Sequence, residues 1–304
     1  MNMDPFRTLV RTEGVRLYRD LPWRRTRDPY EIWLSEVMLQ QTQVARVLTR
    51  WPEWLDRFPS VFALAQAGTA EVLEAWQGMG YNRRALALKS AAEQVVETYD
   101  GEFPREVKQL VALSGVGPAT AQGIRSFAFD LPGVYLETNV RTVLLHHLFP
   151  DVPSVPDREL IPLVEASCPA SEASLADGEA FSAGPFAQPQ DAEDTPRSWY
   201  YAMLDYGAYL KKTVPNPSRR AQAYSRQSKF EGSRRQKRAE IVRQLLDAQS
   251  RGESLDTTAI HAALNEVERT AGRPAVEIEL VVSILSDLAR EGFCADFDGC
   301  WRIA

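Results

Sequence analysis

Apolar positions along most of this chain recur at the three- and four-residue spacing of amphipathic helices. From residue 1 to about 228, glycines and prolines separate the helical segments, and strand-like alternation is scarce. Three further amphipathic patterns follow, over Lys237–Ser250, Thr257–Arg269 and Val276–Glu291. The chain then alternates around Asp298-Gly299, which predicts a terminal β-hairpin. The pattern therefore predicts a mainly α protein with a small sheet at its end.

The change in pattern near residue 229 predicts two domains. The first covers residues 1–228, and the second covers 229–304, with Lys229–Gln236 as a linker. Three helices followed by a hairpin are typical of a winged helix, so the second domain is predicted to be winged-helix-like. Winged helices bind DNA or dock proteins, and the sequence leaves both roles open.

One helix carries a carboxylate beside its apolar face. Asp28-Pro29 supplies a cap and a first-turn proline, and Trp33 and Val37 mark the buried side. Glu36 lies among these residues in the segment SEVMLQQTQV. Burying an acid is costly unless it is paired or used. Glu36 is thus a candidate functional acid, with a solvent-facing glutamate as the alternative.

A second segment, LSGVGPATA, predicts a tight turn between two helices. A helix over Arg105–Leu113 leads into Gly115-Val116-Gly117, and the next helix begins near Pro118. Glycines permit close backbone approach, and amides at a helix N-terminus favour a phosphate oxygen. The segment is interpreted as a helix-hairpin-helix that grips a nucleic-acid backbone, although an isolated GVG is more often only a turn.

A second acid, Glu137, follows in YLETNVRTV. With it, the chain resembles the adenine DNA glycosylases of the helix-hairpin-helix superfamily. The resemblance runs from about Tyr18 to Gly207 and rests on LPW, SEVMLQQTQV, GMGY, LSGVGPATA and MLDYGA. It implies two helical lobes with DNA and the extracted base between them. One lobe would be a six-helix barrel over residues 30–135, and the other would join the N-terminus to residues after 136.

The resemblance implies a two-carboxylate mechanism. Glu36 would be the general acid that protonates the leaving adenine, and we expect its apolar setting to raise its pKa. Glu137 stands where the family has an aspartate that stabilises the sugar cation, so its side chain is one methylene longer. Asn139 could hold Glu36 by a hydrogen bond, or it could cap a helix.

The resemblance also implies residues that extract and hold the base. Gln41 and Tyr81 would be the wedge that fills the gap left by the flipped base, with Tyr81 presented by a flexible Gly-Met-Gly turn. Gln40 is a further candidate DNA contact. The family positions that line the adenine pocket correspond here to Arg19, Leu21 and Trp23. A surface tyrosine and plain core residues are the alternatives.

Charge is unevenly distributed over a chain of net charge −6. Residues 168–196 hold six acids and no Lys or Arg, and their Ala, Ser, Gly and Pro content predicts a mobile insertion. Lys211–Arg243 holds eleven Lys or Arg against two acids. This run is predicted to bind phosphates, with a solvated surface as the alternative. Its candidate contacts are Arg219, Arg220, Arg234 and Arg235.

Cofactor chemistry is predicted to be absent. The family commonly carries four cysteines that hold an iron–sulfur cluster, and the aligned positions here are Lys211, Ser218, Ala221 and Gln227. The chain's three cysteines lack the spacing to replace them. No metal site is therefore expected, with a monovalent or divalent cation bound at the hairpin as the alternative. Scarce cysteine fits a reducing cytoplasm, and no apolar run approaches the ~20 residues of a membrane span.

The leading hypothesis is a monofunctional glycosylase that excises adenine opposite G or oxidised G from duplex DNA in base excision repair. Bifunctional relatives carry a lysine in the hairpin where this chain has Ala119, so no lyase activity is expected. The partner would be mismatched or damaged duplex DNA, and we expect a monomer in the cytoplasm. Two alternatives stay open: a glycosylase for another base, because the usual guanine-sensing domain is not recognisable, and a catalytically silent DNA-binding protein.

Overall fold

The computed structural model describes residues 2–170, 194–225 and 229–304. The acidic segment predicted to be a mobile insertion falls mostly outside them, at 171–193. The described residues form fourteen α-helices and one three-stranded sheet. The predicted mainly α fold is confirmed.

The described helices before residue 229 contain between six and eighteen residues. They are α1 (Asp4–Leu17), α2 (Pro29–Leu39), α3 (Val44–Arg57), α4 (Val61–Gln66), α5 (Thr69–Ala75), α6 (Arg83–Tyr99), α7 (Val107–Ala112), α8 (Pro118–Ala128), α9 (Thr138–His147), α10 (Asp157–Ser167) and α11 (Pro196–Thr213). Single-turn 3₁₀ segments lie at Pro22–Arg24 and Pro217–Arg220.

Contacts group the chain into two compact units, residues 1–52 with 103–226 and residues 53–102 with 227–304. This grouping differs from the two lobes that the resemblance implied. The reason is that α2 packs against α8 and α11 packs against α1, α8 and α9, which joins these helices into one unit. The helices between residues 53 and 102 instead group with the C-terminal residues.

Two glycines allow α11 to pack closely in the first unit. A Cβ on Gly14 of α1 would lie 2.3 Å from the Cβ of Ala202. A Cβ on Gly207 would lie 2.2 Å from the carbonyl oxygen of Asn139, at the first turn of α9. Gly207 belongs to the MLDYGA motif, so this motif fixes how α11 meets the helix that follows Glu137.

The C-terminal elements have the order of a winged helix. They are α12 (Arg234–Ser250), β1 (Leu255–Asp256), α13 (Thr257–Thr270), α14 (Ile278–Arg290), β2 (Cys294–Phe297) and β3 (Cys300–Ile303). The strands are antiparallel in the order β1-β3-β2, and Asp298 and Gly299 turn the hairpin with φ of 53° and 83°. The predicted hairpin and three helices are confirmed, whereas the two-residue β1 was not anticipated because it is too short to show a period.

Within the three described ranges, none of the helices has both the length and the apolar composition needed to cross a membrane.

Candidate active site

Glu36 lies in α2, on a helix whose other residues are mostly buried. The helix begins as predicted, because the Asp28 side chain accepts a hydrogen bond from the Tyr30 N–H at 2.8 Å. The Glu36 carboxyl is held from another element: the Tyr135 hydroxyl donates to its Oε2 at 3.0 Å. Glu36 is therefore a partly buried residue whose carboxyl is tied to the segment before α9.

Gly123 of α8 provides the space for this carboxyl. A Cβ at Gly123 would lie 2.3 Å from Oε2 of Glu36 and 3.1 Å from the Tyr135 ring. No side chain fits there unless the carboxyl moves. A glycine inside a helix costs roughly 1 kcal/mol relative to alanine, so close approach explains its presence.

The surroundings of Glu36 favour its neutral form. Burial is the largest cause and raises the pKa of Glu36 to about 8, with a further increase from the nearby charge of Glu137. The hydrogen bond from Tyr135 acts in the opposite direction. The expected rise in pKa is confirmed, and Glu36 carries its proton at neutral pH, as a general acid requires.

Glu137 is the N-cap of α9. Its carboxylate accepts from the backbone N–H of Asn139 at 2.6 Å and of Val140 at 3.3 Å. Burial raises the pKa of Glu137, while these N–H groups, the Asn139 side chain and the charge of Lys211 all oppose that rise. Donors at a helix N-terminus favour a carboxylate. The two acids thus differ: one protein donor opposes protonation of Glu36, whereas several groups oppose protonation of Glu137.

The hydrogen bond expected between Asn139 and Glu36 is not formed among the described residues, and Tyr135 makes it instead. The alternative role as a helix cap belongs to Glu137. The Asn139 Oδ1 is buried and has no hydrogen-bond partner in the described part of the chain. The backbone N–H of Asn139 donates to the Glu137 carboxylate, and Gly207 packs closely against the Asn139 carbonyl.

The predicted hairpin joins α7 and α8. Gly115 has φ of 70°, Val116 is buried, and Gly117 is the residue before Pro118 at the start of α8. The space around a Gly117 Cβ is open, so the backbone there is accessible to a ligand. Gln40, at the end of α2, donates to Thr120 of α8 at 3.1 Å, which ties the acid-bearing helix to the hairpin helix.

Both predicted wedge residues have left-handed backbone conformations, with φ of 55° at Gln41 and 49° at Tyr81. Such values cost on the order of 1 kcal/mol for a residue other than glycine and recur at functional sites.

The turn before Tyr81, residues 78–81, is stabilised by a buried side chain and by hydrogen bonds. Gly78 and Gly80 have positive φ, Met79 is buried, and the Trp76 indole donates to the Gly80 carbonyl at 3.0 Å. These contacts stabilise the conformation seen here, and the flexibility of the turn stays a prediction.

Arg19, one of the residues predicted to line the base pocket, contacts the buried carboxylate of Asp205. Arg24 donates twice to Asp205, at 2.7 and 2.8 Å, and Arg19 donates to it through its backbone N–H at 3.0 Å and through its side chain. Leu21 and Trp23 are buried. Asp205 is the aspartate of the MLDYGA motif. Removing one partner of a buried ion pair costs about 3–5 kcal/mol of stability, so these ion pairs give the aspartate a structural role. The pocket roles of Arg19, Leu21 and Trp23 stay a prediction.

The four arginines predicted to contact phosphates have different environments. Arg220 donates to the carbonyls of Leu145 at 2.7 Å, of Pro150 at 2.8 Å and of Phe149, so it caps the end of α9. Arg234 pairs with Asp287 at 2.6 Å. Arg235 donates to the Tyr81 hydroxyl at 2.7 Å, and Arg219 is exposed. The guanidinium of Arg220 already donates to three carbonyls, whereas Arg219 is exposed. The phosphate contacts of all four arginines stay a prediction.

The positions that align with the family's cluster cysteines have no thiolates to offer. Lys211 is half-buried, Ser218 bonds to Asn216, and Ala221 forms a parallel bridge with Val155. Gln227 lies outside the described residues. Three of these side chains therefore do not fit an iron–sulfur cluster, and no group of three or more His, Cys, Asp or Glu in the described ranges is arranged to hold a metal.

Sequence reasoning missed Tyr135 and Gly123 as members of the acid site. Tyr135 precedes Glu137 by two residues in an extended segment, so their side chains share a side of the chain. Gly123 stood inside a predicted helix, where glycine signals a close neighbour. Neither signal identifies Glu36 as that neighbour, because the contact joins residues far apart in sequence.

Comparison with known proteins agrees with this geometry. The model of the HhH-GPD superfamily of base excision DNA repair proteins matches residues 34–161. Adenine DNA glycosylase of Mycobacterium tuberculosis (strain H37Rv) is 34% identical over 285 residues, covering 90% of this chain and 82% of that protein. The Mycolicibacterium smegmatis adenine DNA glycosylase is 42% identical, over 47% of this chain and 49% of the relative, so that match spans about half of its length.

Solved structures share the fold. A thermostable thymine-DNA glycosylase superposes with a TM-score of 0.54 at 22% identity, covering 67% of this chain and 85% of its own. An endonuclease III in a non-covalent DNA complex gives 0.50 at 16% identity, over 77% and 92%.

The fold and site define a helix-hairpin-helix protein of base excision DNA repair. Within that class, the chain belongs to the adenine DNA glycosylase family of DNA N-glycosylases.

Proposed function

We propose that this chain removes adenine mispaired with G or oxidised G from duplex DNA by hydrolysis of the N-glycosidic bond. The supporting observation is the contrast between two nearby acids. Glu36 is neutral at pH 7 in a site that burial makes apolar, and Glu137 receives two backbone N–H groups at a helix N-terminus. Burial raises the pKa of both carboxyls, but more groups favour the anion at Glu137 than at Glu36, which suits Glu36 as the acid and Glu137 as the anion.

The reaction needs both states. Glu36 donates its proton to a ring nitrogen of the adenine, so the base leaves neutral as the C1′–N9 bond breaks. The bonding pair goes to the base, and Glu137 stabilises the positive charge that develops on the sugar. Water then adds to C1′ and gives its proton to the Glu36 carboxylate, which restores the acid. The longer Glu137 side chain reaches the sugar from a cap position fixed by the α9 backbone.

The proposal includes hydrolysis without strand cleavage, by a monomer that carries no iron–sulfur cluster. A lyase needs an amine to form an imine with the sugar, and the hairpin position carries Ala119. Serine and alanine at the described cluster positions, and a lysine whose charge lies near Glu137, support the absence of the cluster.

The experiment is a panel of duplexes with a single central lesion or mismatch, incubated with the purified protein and then cleaved with alkali. Strand cleavage only at adenine opposite G or oxidised G is the expected result. Excision of another base would replace adenine as the substrate, and binding without excision would make the protein catalytically silent.

Borohydride added to the same reaction checks for lyase chemistry. We expect no covalent DNA–protein band on a denaturing gel, because Ala119 cannot form an imine. A trapped band would contradict the monofunctional assignment and would direct attention to Lys211.

A further inference from the structure

The C-terminal domain reaches the residue proposed to extrude the base. Arg235, the second residue of α12, donates from Nη1 to the Tyr81 hydroxyl at 2.7 Å. Its guanidinium carbon also lies 5.1 Å from the centroid of the Tyr81 ring. A hydrogen bond from a charged group and a cation–π contact are both stronger when partly desolvated. One side chain thus contacts both the polar end and the face of Tyr81.

A second guanidinium fixes the backbone that presents Tyr81. Arg84 donates to the carbonyls of Met79 at 3.1 Å and Gly80 at 3.0 Å, and lies 5.7 Å from the Tyr81 ring centroid. Burial lowers the pKa of Arg84 to about 10, so it remains a cation at neutral pH. Arg84 follows Tyr81 by three residues and sets the turn locally, whereas Arg235 comes from a different domain in the sequence.

Ion pairs anchor the element that carries Arg235. Glu291, at the end of α14, accepts from Arg83 of α6 at 2.6 Å and also from Arg238 of α12. The carboxylate therefore joins the helix that follows Tyr81 to the helix that begins at Arg234. Since Arg235 and Arg238 are three residues apart on α12, they lie on neighbouring positions of one helix face.

The exposed face of α14 is mixed rather than basic. It carries Ile278, Glu279 and Val282 beside Ser283, Ser286 and Arg290, and Phe297 of the hairpin is exposed between two aspartates. The densest group of basic residues in the domain is instead Arg234, Arg235, Lys237 and Arg238 at the start of α12. Arg235 of this group contacts Tyr81.

We propose that Arg235 is a positioning residue for Tyr81, through which the C-terminal domain takes part in extruding the target base. The inference rests on the proposed wedge role of Tyr81. Extrusion needs a side chain that enters the stack at a defined angle, and Tyr81 has a left-handed backbone that surrounding contacts must maintain. Arg235 directs the ring, and the Arg83–Glu291–Arg238 pairs hold Arg235 in place.

The test is a double-mutant cycle on base extrusion. Wild type, Arg235→Met, Tyr81→Phe and the double variant are mixed with a duplex that carries a central A·G mismatch beside a fluorescent base analogue. Extrusion is followed by fluorescence and excision by single-turnover cleavage. Tyr81→Phe keeps the ring and removes only the hydroxyl that accepts from Arg235. We expect each single variant to extrude about tenfold more slowly, with the double variant no slower than Arg235→Met, because they remove the same hydrogen bond.

Two controls separate positioning from charge and from folding. Arg243→Met removes the same charge from α12 at a residue that pairs with Glu240 and Asp247, and we expect wild-type extrusion from it. The thermal unfolding midpoint of Arg235→Met should match that of Arg243→Met. A merely misfolded variant would lose its cooperative unfolding transition as well as extrusion.

Several outcomes would overturn the inference. Additive effects, equal effects of Arg235→Met and Arg243→Met, or faster extrusion by Arg235→Met would each do so, the last showing that the contact restrains Tyr81. Tyr81→Ala distinguishes the wedge role of Tyr81 from the positioning role of Arg235. If it extrudes the base normally, the wedge role itself fails. If it is slow while Arg235→Met is normal, only the role of Arg235 fails.

Discussion

The acid site around Glu36 and the turn around Tyr81 differ in the charges that surround their central side chains. Glu36 receives one neutral hydroxyl and no cation within hydrogen-bonding distance among the described residues, and burial keeps its proton in place. Tyr81 is contacted by two guanidinium groups. The acid site thus keeps cations away from a carboxyl that must hold its proton, whereas the turn places two cations against an aromatic ring.

The largest loss of activity is expected from replacing Glu36, the residue proposed to donate the proton. Glu36→Gln keeps the shape and cannot donate a proton, so base release should fall by about 10³-fold, while duplex affinity stays within several-fold. Single-turnover cleavage and a binding titration measure the two quantities. A near-normal cleavage rate would remove Glu36 from the mechanism, and the contrast between the acid site and the Tyr81 turn would then have no catalytic meaning.

The next effect is expected from the space around the acid. Gly123→Ala should displace the Glu36 carboxyl, because the added Cβ would lie 2.3 Å from Oε2. The displaced atoms end a flexible side chain, so we expect little loss of stability but roughly a 100-fold loss of excision. Gly68→Ala is the matched control, since its Cβ would meet nothing within 4 Å. Equal rates for the two variants would show that the close approach is unimportant.

A smaller effect is expected from the donor to the acid. Tyr135→Phe removes a hydrogen bond that lowers the pKa of Glu36, so that pKa should rise above about 8. Because the acid must be protonated, wild-type excision should decline as pH rises through about 8, and the variant's decline should move to higher pH.

Lost positioning should also slow the Tyr135→Phe variant about tenfold at pH 7. Tyr206→Phe, which loses a hydroxyl contact with His147 instead, should keep the wild-type pH profile. A Tyr135→Phe profile that moved to lower pH would contradict the direction of the hydrogen-bond effect.

The smallest effect concerns phosphate contact outside both regions. Arg219→Gln should lower the slope of log affinity against log salt by about 0.9 and weaken matched and mismatched duplexes alike. Lys229→Gln serves as a comparison at another exposed cation of the run. An unchanged slope for Arg219→Gln would show that this side chain is only a solvated surface.

The sequence predicted the secondary-structure elements and the candidate acids better than it predicted which side chains contact each other. The start of α2 at Asp28-Pro29 and the hairpin at Asp298-Gly299 depend on neighbouring residues, so local chemistry was sufficient. The partners of Glu36 and Tyr81 lie 99 and 154 residues away along the chain. A basic run was expected to face phosphates, and only the fold shows that Arg220 faces carbonyls. Arginine looks the same in sequence whether it meets a phosphate, a ring or a helix end.

The cap that Arg220 places on α9 bears on how the protein is made. Where a metal cluster holds a loop, folding waits for iron and sulfide to be delivered, and oxidants can undo the result. Here the loop after α11 is held by Arg220 and by the Val155–Ala221 bridge, whose parts are all present once the chain is translated. We therefore expect the yield of folded protein to be the same in iron-starved and iron-replete cells, and to be insensitive to peroxide.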